Sequence, residues 1–414
     1  MRHISEKKLY YGELCVTSRT ETDERQTMKQ RGYLFLLRAS VLVMLLALLP
    51  SPMQAQLTGK SFVRIGVVLP LKEKTARGAK MVEFYQGLLL AVDSMRHEGV
   101  SAEITALHSG TTAADMDRLL MDHSLNGCDV VFGPLDAAQL PALADYCDLR
   151  GIRLVVPFTT EDTQLHGHPY YYMASAPRSI LQREAVWYVQ SQFPDANIIA
   201  IGTEDPNDEG RQFIELVKDA VASHGTFVRQ LPASADDMAF EAAINPNRQN
   251  LLLLDGSSLK ALNITLPRLM DYRREHPDVR LSLFGYPVWQ TYAHQHLSEL
   301  YAMDTYIYTP FYRNPLSPRS NDFDLLFTRW FQRPMQNTFP RYGLLGFDLG
   351  YYFLRGLSIF GDSLEQRHER VPSNPYQSSF WFQRENENDG FVNTFVELIH
   401  YTTYQSIDLL SRSR

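Results

Sequence analysis

From residue 62 onward the chain alternates short apolar runs with longer stretches in which apolar residues recur every three or four positions. The first pattern predicts buried strands and the second predicts amphipathic helices. "FVRIGVVLPL" reads as a strand, residues 76–97 as a helix, 102–107 as a strand and 113–125 as a helix. The stretch "DVVFGPLDAAQLPALADYCDLRGIRLVVPFTT" then says nearly the same thing twice: an apolar run stops at a proline, and small or polar residues follow. Two such runs separated by one helix's worth of sequence describe neighbouring parallel strands whose C-terminal ends open on the same side. In open α/β sheets that side is where ligands bind.

A second series begins after "HPYYYMASAP", with helices at 179–193, 208–224 and 258–275 and strands at 197–202, 226–231, 251–255 and 280–285. Such alternation predicts an α/β protein with two doubly wound parallel-sheet units, helices covering both faces of each. The last third is rich in aromatics. It predicts helices at 321–332 and 342–360, then strand-like segments around a hairpin turn at Asn388, Asp389 and Gly390.

Composition adds little to this frame and removes some alternatives. A chain of 414 residues, 44% hydrophobic and 21% charged, is ordinary globular material long enough for two or three domains. A net charge of -7 without a clustered basic helix disfavours nucleic acid as a partner. No G-x-S-x-G elbow, P-loop, H-E-x-x-H or dinucleotide G-x-G-x-x-G occurs, so the expectation is a non-enzyme without a cofactor. His166 and His168, two apart in a loop without cysteine partners, make a weak metal pair, and no metal is expected. "DPNDEG" fails as a calcium loop because Leu216 stands where a bidentate Glu is needed.

The N-terminal region changes the compartment. Met28, Lys29, Gln30 and Arg31 open a basic stretch that runs through Arg38 into an apolar run at 39–49, helix-breaking prolines and Ala55. This is the layout of a secretory signal cleaved before Gln56, with export to the periplasm or outside. An uncleaved membrane anchor is the alternative, since 33–37 lengthens the apolar segment. Translation from Met28 would leave 1–27 as an upstream extension. In an oxidising compartment Cys128, just before one strand, and Cys147, near the end of the returning helix, could meet as a disulfide; two separate buried thiols are the alternative.

The order of "IGVVLPL", "EFYQGLLLAVDSM", "DVVFGP", "IRLVVPFTT", "HPYYYMASAP", "YGLLGFDLGYYFL" and the closing "FQRENENDGFVNTFVELIHY" resembles the type I periplasmic binding protein fold, the Leu/Ile/Val-binding-like superfamily of solute receptors. The resemblance implies two lobes joined by three crossing strands and closing on a ligand held between them. It implies residues 61–176 as the first part of lobe 1, 177–310 as the first part of lobe 2, 314–370 as a return to lobe 1 and 375–405 as a C-terminal hairpin of lobe 2. Crossings fall near Ser175 to Pro177, Thr309 to Pro315 and Val371 to Tyr376. It further implies a small polar ligand, such as an amino acid, sugar or cell-wall fragment, and an ABC-type transporter or envelope protein as partner. The alternative is an envelope interaction module of the same fold with a degenerate cleft, like the activators of cell-wall synthases.

Amino-acid-binding members of that superfamily tend to carry Ser after the third strand and Thr after the fourth. Here Asp136 takes the first place, while Thr159 and Thr160 keep the second. A bare acid repels a carboxylate, so Asp136 and the second-lobe loop "TEDPNDEG" favour a cationic or hydroxyl-rich ligand. Alternatively these acids are helix caps and first-turn residues that need no ligand. The candidate ligand-binding residues are Asp136, Thr159, Thr160, Tyr170, Asp205, Asn207, Tyr286 and Tyr312, the aromatics offering stacking faces when they are not core.

Overall fold

A computed structural model describes residues 59–160, 164–223, 225–315 and 317–412. The expected extension and signal lie outside the described residues, as do Glu161 and Asp162.

Two seven-stranded sheets carry the chain. In the first, β1 (Phe62–Leu69), β2 (Ser101–His108), β3 (Val130–Phe132), β4 (Arg153–Val156) and β5 (Tyr171–Met173) are parallel, and β11 (Phe382–Gln383) and β12 (Phe391–Asn393) extend the β5 edge. In the second, β6 (Asn197–Ile201), β7 (Arg229–Leu231), β8 (Asn250–Leu254), β9 (Leu281–Gly285) and β10 (Thr305–Thr309) are parallel, and β13 (Glu397–Tyr401) with β14 (Ile407–Ser411) adds an antiparallel ribbon beside β10. The central strands β1, β3, β4 and β8 are buried along nearly their whole length, which is why they read as continuous apolar runs.

The first sheet is covered by α1 (Ala76–His97), α2 (Ala113–Met121), α3 (Leu140–Asp148), α9 (Pro318–Phe331) and α10 (Tyr342–Phe360). The second has α4 (Arg178–Gln192), α5 (Asp208–Ala222), α6 (Asp237–Ala243), α7 (Leu259–Glu275) and α8 (Ala293–Ala302). The helices α1 and α10 lie backbone against backbone: a Cβ on Gly87 would stand 1.9 Å from the Gly343 carbonyl oxygen, and one on Gly346 would stand 2.0 Å from that of Phe84. No side chain fits there, so the glycine spacing of "YGLLGFDLGYYFL" sets this contact.

Three connections pass between the sheets. Two follow β5 and β10. The third is a correction: it lies between Asn393 and Glu397, not near Val371 to Tyr376. The expected lobe-2 hairpin at 375–405 is therefore split. The Asn-Asp-Gly turn does close a hairpin, β11 to β12, but that hairpin joins the first sheet, with Phe391 paired to Tyr172 and their rings stacked at 4.6 Å. Its turn is anchored locally, Gly390 donating its N–H to the Leu165 carbonyl at 2.7 Å. Burial of Phe382 and Phe391 beside Tyr172 and Phe353 outweighs continuity with the second lobe. The ribbon of the second sheet is the later pair, β13 and β14.

The two cysteines are also a correction. Both are free thiols, not a disulfide. Strand start and helix end do adjoin, since both residues belong to one apolar cluster with Leu125, Val131 and Leu143. They fill that cluster as small hydrophobes, and burial pushes the Cys128 thiol up to about 11 and Cys147 further.

Candidate functional site

Six parallel strands, β1 to β5 and β12, end at the C-terminal edge of the first sheet, and the loop after β3 has a tightly constrained backbone. Gly133 sits at φ +132°, and a Cβ there would stand 2.1 Å from the Val68 carbonyl oxygen. Only glycine lets the chain turn this closely against β1. The turn delivers Asp136 to the edge, where its Oδ1 is ion-paired with Arg77 in the first turn of α1. Its other oxygen, Oδ2, is buried and takes no hydrogen bond from any of the described residues. The acid therefore does not present a bare negative charge. It forms half of an ion pair that still has one unused acceptor.

Beside it, the loop after β4 runs through Pro157, Phe158, Thr159 and Thr160. Phe158 packs edge-on against Phe84 at 5.2 Å and lies 5.9 Å from the Tyr342 ring, over which Lys80 sits at 5.6 Å. Thr159 is half-buried and Thr160 exposed. Asp136, Thr159 and Thr160 thus share one edge of one sheet.

The second-lobe edge is built differently. Asn207 caps α5, accepting from the Gly210 N–H at 2.9 Å and donating to Ser257 Oγ at 2.7 Å; Ser257 in turn donates to Glu209 at 2.9 Å. Ser258 caps α7 and donates to Asp205, while Asp255 accepts from the Thr203 N–H and hydroxyl at 2.7 and 2.8 Å. Asp205 and Asn207 come together here as members of a network that ties two helix starts to each other.

The remaining candidates separate. Tyr170 is a correction: it precedes β5 and gives its carbonyl to Leu154, so it stands at the opposite, N-terminal edge, near the Arg153 guanidinium at 5.8 Å. Tyr286 is another: it is fully buried, packs on Trp289 at 5.6 Å and donates its hydroxyl to the Leu254 carbonyl. A Tyr at the end of a buried strand is core unless its loop lifts it out, and this one caps its neighbour strand. Tyr312 lies in the second connection, its N–H donating to the Gln377 carbonyl at 3.0 Å, and burial pushes its phenol up to about 12. His166 and His168 turn to different carboxylates, Asp389 at 3.3 Å and Asp145 at 3.7 Å.

Sequence reasoning missed the brace beneath the connections. Asp348, buried on α10, accepts the N–H groups of Tyr376, Gln377 and Ser378 at 2.8, 2.9 and 2.8 Å. The Gln377 side chain holds the start of α10 on both sides, accepting from the Arg341 N–H at 3.0 Å and donating to its carbonyl at 3.3 Å. Since the Gln377 carbonyl also takes the Tyr312 N–H, the second connection is tied through one glutamine to the first lobe. Burial pushes the Asp348 carboxyl up to about 7 against the pull of its three backbone donors. The signal was a lone acid inside an apolar helix, which has to find donors. Glu397, which opens β13 just past the third connection, is pushed up to about 7 by burial alone.

No family model and no curated protein matches the chain. Solved structures do. A branched-chain amino acid ABC transporter protein from Rhodospirillum rubrum superposes at a TM-score of 0.58 with 14% identity, over 84% of this chain and 99% of that one. An amino acid ABC transporter substrate-binding protein from Pseudomonas fluorescens gives 0.51 and 13%, over 85% and 96%. A periplasmic ligand-binding protein of a branched-chain amino acid transporter from Burkholderia xenovorans gives 0.51 and 9%, over 84% and 94%. The chain has the two-lobe α/β fold of these type I periplasmic binding proteins.

Proposed function

We propose that this chain is a non-enzymatic, extracytoplasmic solute-binding protein, which holds a small polar ligand between its lobes and presents it to an ABC-type transporter. The observation that carries the reading is the Asp136 and Arg77 pair with its buried, unused Oδ2, set beside Thr159 and Thr160 on the C-terminal edge of a parallel sheet. Ligands of open α/β sheets bind at that edge. The pairing revises the charge preference expected of a bare acid. Arg77 removes the repulsion, so a zwitterion fits: an ammonium or hydroxyl donates to Asp136, while a carboxylate meets Arg77 and the Thr160 hydroxyl.

Phe158 and Tyr342 give the same edge an apolar wall for the rest of the ligand. The lobes would close about the three connections, with Asp348 and Gln377 keeping the second of them fixed to the first lobe while the other segments turn. Export by the N-terminal signal fits this role, and among the described residues no helix is long and apolar enough to cross a membrane.

Native mass spectrometry of protein purified from its own cell envelope tests the reading. It predicts a retained small mass lost on denaturation. A ligand-free protein that shows no thermal shift with amino acids, sugars, polyamines or muropeptide fragments would contradict it and favour an envelope interaction module.

A further inference from the structure

The N-terminal edge of the second sheet, opposite the edge just described, carries a cavity of about 360 Å³. It lies where β6, β8 and β9 begin and is lined by Phe193, Pro194, Asp195, Asn247, Arg248 and Arg280, among others. Two features distinguish it from a chance surface dip.

The first is that the arginines are held in place by one buried amide. Asn250 is fully buried, and its Nδ2 donates to the carbonyls of Arg248 and Arg280, each at 3.1 Å, while its backbone N–H donates again to the Arg280 carbonyl at 3.0 Å. The Asn250 Oδ1 is occupied too, accepting from the Asn245 N–H and the Asn197 side chain at 2.8 Å each. This network fixes the two arginine backbones side by side at the rim of one cavity.

The second is that the charges are uncompensated. Arg248 spends its Nε on the Asp195 carbonyl at 2.7 Å, and Arg280 reaches the Asn247 carbonyl at a long 3.4 Å. Among the described residues neither guanidinium has a carboxylate in ion-pair range; Asp195 is the only acid on the lining and meets Arg248 through its backbone. With their backbones held at neighbouring strand starts, the two like charges share one rim, and an anion bound between them would neutralise both. Each presents a planar fork matched to carboxylate or phosphate oxygens. Phe193 and Pro194 supply an apolar side, and the volume falls in the range of small-molecule sites, roughly 300 to 1,000 Å³.

We propose that this cavity is a second ligand site, taking a small organic oxyanion, a carboxylate or a phosphate ester, on the Arg248 and Arg280 forks. It is independent of the crevice reading. Isothermal titration of the full mature chain at low salt with succinate, glycerol 3-phosphate and inorganic phosphate tests it and separates the sources of the oxyanion. Saturable binding of at least one probe is expected, preferring an organic probe over inorganic phosphate because of the apolar side. The double variant Arg248→Ala and Arg280→Ala should weaken it at least tenfold with an unchanged unfolding temperature, since both side chains are exposed. The double variant Arg248→Lys and Arg280→Lys keeps the charge and loses the fork, so it should bind more weakly than wild type. Binding that survives the alanine pair, binding that is lost in Thr160→Ala instead, or no saturable binding by any probe would each overturn the assignment.

Discussion

The two lobes present edges of the same topology and opposite economy. On the second lobe, Asn207, Ser257, Glu209, Asp205, Ser258, Thr203 and Asp255 are bonded to one another or to helix-start N–H groups. On the first lobe, Asp136 keeps a buried oxygen without a donor among the described residues, and Thr160 stands exposed. The same residue types thus serve different ends. A carboxylate in the loop ahead of a helix is structural when neighbouring N–H and hydroxyl groups converge on it, as on Asp255, and is open to a ligand when one of its oxygens is left without a donor. Under the reading proposed here, chemistry is concentrated on the first lobe and the second supplies a rigid opposing wall.

Substitutions at four positions would break or sharpen that contrast. Asp255→Ala should be the most damaging, removing both acceptor bonds to Thr203 and leaving a part-buried N–H unpaired, at roughly 2–3 kcal/mol in urea denaturation. A loss below about 0.5 kcal/mol would mean that the second-lobe network is not structural.

Glu397→Gln tests the edge beside the third connection. Its carboxyl is raised to about 7 by burial, so the folded state holds its proton more tightly than the unfolded chain does. The stability this contributes is fully present below the ordinary carboxyl range and is lost as pH rises through about 7. Asp348 acts in the same direction over the same window. Wild type should therefore lose stability between pH 5 and 8, and Glu397→Gln should lose less, by on the order of 1–2 kcal/mol at pH 8. Identical pH profiles for the two proteins would contradict the burial assigned to Glu397.

Asn207→Ala should cost about 1 kcal/mol as a lost helix cap, whereas Asn207→Asp, which keeps the acceptor, should cost less. Smallest is Asp136→Asn, a part-exposed ion pair whose removal should change folding stability by no more than about 1 kcal/mol. Its effect should instead fall on ligand binding, where loss of the charge weakens an ammonium-bearing solute more than a neutral one.

Most of the architecture was legible because parallel strands and covering helices announce themselves by period. "DVVFGP" and "IRLVVPFTT" landed side by side, as β3 and β4, because continuous apolar runs suit central strands alone. The third connection was misplaced because the Asn-Asp-Gly turn specifies a hairpin without specifying which sheet it joins. That choice was made by Phe382 and Phe391 packing on Tyr172, a contact more than two hundred residues away in sequence. Tyr170 and Tyr286 failed for a related reason. Position near a strand end is visible in sequence, but whether that end is the N-terminal one or whether the ring turns inward is decided by tertiary packing. Arg77 was missed because its meaning depends on Asp136, 59 positions later, which meets it only once β1 and β3 pair.

The affinity of the solute retained by wild-type protein, measured by titration calorimetry against wild type and Thr160→Ala, tests the central claim most directly. A solute held at the first-lobe edge loses one hydrogen bond in the variant, worth roughly 1–3 kcal/mol, so its dissociation constant should rise about 5- to 150-fold while the unfolding temperature stays unchanged. Equal affinity in the two proteins would place the ligand elsewhere and contradict the assignment of the first-lobe edge.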